Sequence, residues 1–494
     1  MAEVVVYRRR TVVSLVMVLF ALALGAGGYL LTSLNQNGTF PADWVMTIGK
    51  LPFDGPLLQF GGPWFVGVAA WFALGLACWG VVAWRLPYAD PLILPTAFLL
   101  TGLGLSMIYR LDQWDGKRSA ELQMLWLFLA AAAFIAIVAW LRDHRRLQRY
   151  TYLWFLAGFL LLLAPLVPGL GKENHGARIW ISLGPFSFQP AEIARIVLSI
   201  AFAAYLVEKR DVLALAGRRF LGIDFPRPRD LGPILIAWGF SLVILVFQKD
   251  LGTTLLFFGL FVAMLYVATE RPSWAILGTL MIGMLGVLGY YAFGHVRTRF
   301  ESWLNPFADY DRNGQVINAQ FGFAWGGLFG TGWGEGRPGL TPLAKNDFIG
   351  AAIGEELGLF GLAALVLLFG IIVARMLRAA LGSGEGFGKL LATGLAFVFA
   401  LQVFTILGGI TRLLPLTGLT TPFVSQGGSS LVSNFLLLGL MLTVTHQVRR
   451  PVVEHGGSGE YVSLSAEATQ MVPVVPGAAA LPTTPQSPAE GDER

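Results

Sequence analysis

Apolar residues along this chain come in long unbroken runs rather than at the spacing of one helix face. Such runs recur near residues 11–31, 63–84, 91–109, 123–141, 149–167, 191–207, 232–248, 252–270, 273–294, 349–374, 389–411 and 429–447. At about 17 to 25 residues, each is long enough to cross a hydrocarbon core of about 30 Å as a helix. Backbone polar groups in lipid must be satisfied within the segment, which helices do. The pattern predicts an all-α, polytopic integral membrane protein of about twelve transmembrane helices. The first run follows Arg8, Arg9 and Arg10 and is succeeded by further spans, so it reads as a retained signal anchor rather than a cleaved signal peptide.

Basic residues then set the orientation. Arg8 to Arg10, the group Arg142, Arg145, Arg146 and Arg149, the group from Lys209 to Arg229, the group Arg375, Arg378 and Lys389, and Arg449 with Arg450 all fall on one side of a twelve-span chain. That side is predicted to be cytoplasmic, with both termini on it. Arg110, Lys117 and Arg118 lie on the opposite side and weaken the pattern without reversing it. The segments 171–189, 249–252, 295–348 and 411–430 are then extracytoplasmic. From about residue 451 the chain becomes rich in Pro, Ala and Thr and loses helical periodicity, which predicts a disordered cytoplasmic tail over 451–494.

Composition agrees with the hydropathy pattern: 55% of the 494 residues are hydrophobic and only 13% are charged. A soluble protein could not hide that much apolar surface. The formal net charge of +5 resides in short loops between spans, so it signals topology rather than a nucleic-acid partner. Cys78, the single cysteine, sits inside an apolar run, which excludes an intramolecular disulfide and thiolate metal ligation. No P-loop pattern supports an ATP-driven pump.

Four outer segments carry residue types that an apolar core does not require. In ENHGARIWISLGPFSFQPAEIAR, Arg178 lies in the loop, and Glu192 and Arg195 sit three apart at a helix start, where they can neutralise each other. In QKDLGTT, Lys249 and Asp250 stand at a span boundary, as substrate contacts or as charges snorkelling to the interface. The segment 297–361 is the long Gly-rich, charge-bearing stretch of the chain, and an Asp in it reads either as a turn cap or as a catalytic group. In TRLLPLTGLTTPFVSQGGSSLVSNF, Pro415, Pro422, Gly427 and Gly428 interrupt apolar runs and expose backbone groups, which is tolerated where they line a cavity.

QPAEIAR, QKDLGTT, NDFIGAAIGEELGLFG and LPLTGLTTPFVSQGGSSL resemble the signature blocks of the SEDS family (shape, elongation, division and sporulation), which includes RodA and FtsW. The resemblance runs from about residue 91 to the last span, in the family's order. LLTGLGLSMIYRLD, RPRDLGP and two additional N-terminal spans resemble the actinobacterial RodA branch in particular. This divides the chain into a two-helix membrane extension (1–90), a ten-helix core (91–450) with an extracytoplasmic catalytic loop (295–348), and the tail.

The resemblance implies a peptidoglycan glycosyltransferase that polymerises lipid II on the outer membrane face. The donor is the growing strand on undecaprenyl diphosphate, and the acceptor is the 4-hydroxyl of another lipid II. An alcohol is a weak nucleophile at neutral pH, so the reaction needs a carboxylate base and cations at the departing diphosphate. The family's aspartate motif PFADP aligns with PFADYD and gives the base role to Asp309. Tyr310 replaces the family's Pro, and Gly314-Gln315 replaces Gly-Tyr-Gln, so Asp311 stands as a substitute. Arg178, Arg297, Arg299 and Lys345 are expected near the diphosphate, with lipid headgroup contact as the other reading of each. Lys345 stands where the family often has His, with Asn346 and Asp347 beside it, and Gln426 stands where the family has Tyr.

Glu355 and Glu356 follow in an apolar helix, where a charge is costly, and at least one is expected to face the cavity and pair with a cation. Glu192, Arg195, Lys249, Asp250, Asp347, Ser425, Gly427, Gly428 and Ser429 complete the expected substrate-binding set. The polyprenyl chain predicts a lipid-facing groove beside the catalytic loop. No metal-ligand cluster is readable; a divalent cation such as Mg2+ or Mn2+ could screen the diphosphate through carboxylates and water. The implied partner is a class B penicillin-binding protein, a transpeptidase. A lipid II flippase, a division-specific FtsW-type polymerase and a non-catalytic scaffold are the alternatives. A flippase needs polar groups through the membrane depth, whereas the charged motifs here cluster at outer ends.

Overall fold

Long apolar segments with few helix breakers form the helices that organise this chain in a computed structural model. It describes residues 2–37, 44–51, 55–62, 64–141, 143–174, 177–183, 186–214, 218–220, 223–225, 239, 243–244, 246–454 and 461–463. The helices are α1 (Ala2–Asn37), α2 (Trp64–Arg85), α3 (Ile93–Asp115), α4 (Ser119–Trp140), α5 (Thr151–Leu163), α6 (Pro190–Ala214), α7 (Leu251–Thr269), α8 (Pro272–Ala292), α9 (Gly294–Leu304), α10 (Tyr310–Gly326), α11 (Ile349–Gly382), α12 (Gly386–Ile410) and α13 (Gly428–Arg449). Eleven helical segments among the described residues are long and apolar enough to span a membrane. The chain is a multi-pass membrane protein. The expected span at 232–248 lies largely outside the described residues.

Burial sorts the helices into an inner and an outer set. In α6 and α13, 89% and 83% of the spanning window is buried, against 6% in α8, which touches α7 where Gly278 lies against Val262. The centre is aromatic: Phe98, Phe134 and Phe423 surround Phe435 edge-on, with ring centroids 5.8, 6.2 and 5.7 Å away. Where backbones approach closely the residues are Gly. A Cβ on Gly104 would fall 2.4 Å from the Val424 carbonyl oxygen, so α3 lies directly against the segment leading into α13.

Two expectations change. The chain also carries short antiparallel strands: Trp44–Leu51 with Gly55–Gly62, and a three-stranded sheet of Gly171–Asn174, Ala177–Leu183 and Phe186–Phe188 in the first polar segment. The segment 295–348, expected as a loop, is largely helical. α9 and α10 form a bend around Pro306, where Ser302 Oγ donates to Asn313 Oδ1 at 2.6 Å and Asn313 Nδ2 donates to the Pro306 carbonyl at 2.8 Å. These helices are too short and too polar to give an apolar run. Beyond Val448 the chain forms a second unit, in which Val452–Glu454 pairs with Tyr461–Ser463. The rest of the predicted disordered tail lies outside the described residues.

Candidate active site

Four buried polar networks fix one end of the helix bundle, each built on residues the sequence singles out. On α6, Glu192 and Arg195 share a helix face and form an ion pair at 2.8 Å with both side chains almost fully buried. Arg195 also donates to Asn434 Oδ1 at 3.1 Å and to Gln402, while Ser433 Oγ donates to the Glu192 carbonyl at 2.6 Å. Buried charge is tolerated only when paired in this way. The network ties α6 to α12 and α13.

The second network is built on Lys345. Its ammonium contacts Asp112 at 2.5 Å and Asp115 at 2.7 Å, both from the end of α3, so it is held between two carboxylates. The neighbouring backbone is pinned as well: Ser425 Oγ donates to the Asn346 carbonyl at 2.5 Å, and the Gln426 N–H donates to the Lys345 carbonyl at 2.8 Å. Gln123 bridges the Ser425 carbonyl and the Gly427 N–H at 3.2 and 3.1 Å. Gly428 is required here, because a Cβ would lie 2.0 Å from the Trp126 ring, and Ser429 is buried at the start of α13.

The third network holds the Gly-rich turn against α11. Arg110 on α3 meets Glu356 at 2.9 Å and donates to the carbonyls of Gly334 and Gly336 at 3.0 and 2.8 Å. Glu356 also accepts from the Gly334 N–H at 3.0 Å, and Glu355 accepts from the Arg337 N–H at 2.6 Å. Gly358, with φ 66 and ψ −165, breaks α11 just beyond. The carbonyls of Glu355 and Glu356 then accept from the N–H groups of Thr331 and Gly332, at 3.0 and 3.1 Å. The interrupted helix is satisfied by the returning chain, as an apolar surrounding demands.

In the fourth, Arg299 on α9 faces two carboxylates, Asp250 and Asp347. Its guanidinium donates to the Leu416 carbonyl at 2.8 Å and passes close over Gly418, which has φ +73. Asp250 caps α7, accepting from the Thr253 N–H at 3.0 Å and hydroxyl at 2.7 Å. Lys249 beside it is exposed, with φ 60. Burial pushes the Asp347 carboxyl up from 3.8 to about 6, opposed by Arg299. Burial lowers the Arg299 guanidinium, opposed by Asp250 and Asp347. His295 is pulled down by burial and then by Arg299 and Lys249, which favours the neutral imidazole.

Asp309 stands apart from these buried groups. It is the N-cap of α10, accepting from the Arg312 N–H at 3.1 Å, and its side chain is exposed, as is that of Asp311 two residues on. Across the α9–α10 bend, Glu301 collects two cations, Arg312 at 3.9 Å and Arg297 at 2.7 Å. Arg312 also donates to Thr298 and so ties α10 back to α9. Arg178 is elsewhere: it pairs with Glu173 at 3.1 Å within the three-stranded sheet. Among the described residues, no group of three or more His, Cys, Asp or Glu is arranged to hold a metal ion.

Residues 91–450 match the family described as cell cycle protein, FtsW/RodA/SpoVE. The chain belongs to that family. It is 49% identical over 374 residues to the peptidoglycan glycosyltransferase RodA of Mycobacterium tuberculosis, covering 74% of this chain and 80% of that one. With the Mycobacterium leprae protein of the same name it shares 46% over 398 residues, 76% and 84% of the two chains. The stage V sporulation protein E of Bacillus subtilis is more distant, at 33% over 375 residues, 73% and 98% of the two. A solved chain from work on how a peptidoglycan synthase complex coordinates polymerisation and crosslinking shares the fold, with TM-score 0.59 and 24% identity over 73% of this chain and 99% of that one.

Sequence reasoning missed the partners in these networks: Arg110, Asp112, Asp115, Gln123, Gln402 and Asn434. For Arg110 a signal existed. The third span, predicted to end at 109, runs to Asp115, which puts an arginine inside a membrane helix where it requires a partner.

Proposed function

We propose that this protein polymerises lipid II into glycan strands at the outer face of the cytoplasmic membrane, with Asp309 as general base. The chain is a peptidoglycan glycosyltransferase: its relatives at 46–49% identity bear that name and cover most of its length. In the reaction the Asp309 carboxylate takes the proton of the acceptor 4-hydroxyl as its oxygen attacks the donor anomeric carbon, and the undecaprenyl diphosphate departs. Arg312, whose N–H meets Asp309, Arg297, which shares Glu301 with it, and Arg299, facing Asp250 and Asp347, are the cations assigned to the diphosphate. The single observation that carries the assignment is an exposed carboxylate at the start of α10, bonded to the N–H of Arg312, where the charges of the four networks are taken up by one another.

The four networks serve as the frame. Lys345, Glu355, Glu356, Glu192 and Arg195 hold the segments around the site and each is partnered by protein groups, so their assigned role is positioning. Asp311 is the substitute base, and Arg178, paired with Glu173 in the three-stranded sheet, is given no role at the diphosphate. With both termini cytoplasmic, the site faces outward, where a class B penicillin-binding protein would cross-link the product. Elongation is favoured over division, because relatives named RodA match at 46–49% whereas those named FtsW match at 31–34%.

The test is reconstitution of the purified protein with its transpeptidase and labelled lipid II. Glycan polymer formation that survives in Asp311→Ala supports Asp309 as the base. Wild-type protein that yields no polymer with its partner, yet moves lipid II across liposomes, would establish the flippase reading instead.

A further inference from the structure

The two N-terminal helices lie outside the family match and pack against its first two helices around a cavity of about 360 Å3. That volume is within the range of small-molecule sites. The floor follows from glycine. A Cβ on Gly25 of α1 would lie 3.0 Å from the Gly102 Cα of α3, and the Trp71 ring of α2 comes within 3.2 and 3.3 Å of the Cβ positions of Gly25 and Gly102. Trp71 Nε1 is satisfied by the Leu22 carbonyl at 3.0 Å, so the floor presents carbon. Met124 of α4 and Val68 of α2 line the wall.

The other end of the cavity is polar. Tyr29 and Tyr109 lie in contact with ring centroids 4.6 Å apart and planes tilted by 54°, and Lys117 and Arg118 sit in the turn between α3 and α4, 73% and 66% exposed. Nearby acids partly offset them: Asp115 is 3.5 Å from Lys117, Glu121 is 4.0 Å from Arg118, and Asp112 is taken up by Lys345. From Gly102 to Gly116 the helix rises about 20 Å. The cavity therefore reaches from the membrane boundary, where both spans end, through about two-thirds of a hydrocarbon core of about 30 Å.

We propose that this cavity between the N-terminal extension and the core binds an anionic, phosphate-headed membrane lipid. One chain lies along the Trp71–Gly102 floor, and the headgroup meets Lys117, Arg118 and the tyrosine hydroxyls. A free anion would use only the mouth, and a transported polar solute would find no partner on the floor. Because α3 forms one wall and also supplies Arg110, Asp112 and Asp115 to the candidate active site, the lipid braces the helix that holds that frame.

The test is native mass spectrometry of the full-length protein, with melting in detergent on addition of phosphatidylglycerol, phosphatidylcholine or inorganic phosphate. A retained lipid mass is expected, with stabilisation by phosphatidylglycerol alone. A glycerophospholipid mass supports the inference, and a polyprenyl phosphate mass supports it when Val68→Trp removes that mass, since one that persists in Val68→Trp belongs to the polymerase site. Val68→Trp fills the cavity and is expected to lower lipid occupancy at least about tenfold in protein that remains monodisperse. Lys117→Gln with Arg118→Gln, on the exposed turn, is expected to weaken phosphatidylglycerol binding by about fivefold per charge removed. Unchanged occupancy in Val68→Trp, equal binding of phosphatidylcholine, or stabilisation by inorganic phosphate alone would overturn it.

Discussion

Replacing Arg110 by Met removes the cation from a site where both partners are buried, with side chains 5% and 0% exposed. Met fills the volume, so the loss is electrostatic: Glu356 keeps one N–H donor from Gly334 and loses its counter-charge, and the carbonyls of Gly334 and Gly336 lose theirs. Breaking one side of such a pair costs about 3–5 kcal/mol. The backbone bonds do not add to this independently, because they belong to the same network. The cost falls on the turn containing Gly334 and Gly336, which Arg110 joins to α11. Hydrogen exchange followed by mass spectrometry should show faster exchange there by about two to three orders of magnitude, while the centre of α13 is unchanged. The double variant Arg110→Met, Glu356→Met removes both charges and should recover most of the loss. Additive effects of the two changes, or exchange in the turn unaltered by Arg110→Met, would refute the network.

Three further outcomes follow from the geometry. Gly428→Ala forces a methyl into the Trp126 ring and should cost about 1–3 kcal/mol, read as a lower melting midpoint, whereas Gly384→Ala, in open space, should be neutral. Lys345→Met leaves Asp112 and Asp115 without their shared cation and should destabilise the protein by about 3 kcal/mol or more, read as a lower melting midpoint. For Asp347, folding raises the carboxyl from 3.8 to about 6, so the stability it contributes is complete below about 4 and is lost as pH rises through about 6. Asp347→Asn should flatten that decline and melt at or above wild type at pH 7.5; a variant that keeps the wild-type slope contradicts the assignment.

Spans were legible because hydropathy alone determines them. The runs at 252–270 and 389–411 became Leu251–Thr269 and Gly386–Ile410, and Asp250 sits where a capping residue belongs. The segment 295–348 was legible as the place of chemistry but not as structure, since α9 and α10 carry no long apolar stretch. The networks were half visible. Glu192 and Arg195 are three residues apart, so their pairing follows from helix geometry. Lys345 and Asp112 are 233 residues apart, and nothing local links them. Glu356 looks like a substrate contact in sequence because an isolated charge in an apolar run suggests function, and Lys345 because it stands where the family often has His. Three dimensions show each already partnered.

The central claim is that Asp309 acts as a base and not only as a helix cap, and Asp309→Asn separates the two. Asn caps a helix about as well as Asp, so α10 should keep its start and the melting midpoint should hold, whereas Asp309→Ala should cost about 1 kcal/mol. An amide cannot accept the acceptor's proton, and loss of a general base lowers rates by about 10^2 to 10^4. The measurement is the initial rate of glycan polymerisation from labelled lipid II by wild type, Asp309→Asn and Asp309→Ala, each with the transpeptidase. Loss of at least about a hundredfold in Asp309→Asn at unchanged stability is the predicted result. Wild-type rates in Asp309→Asn, with loss confined to Asp309→Ala, would contradict it and leave Asp309 as a cap.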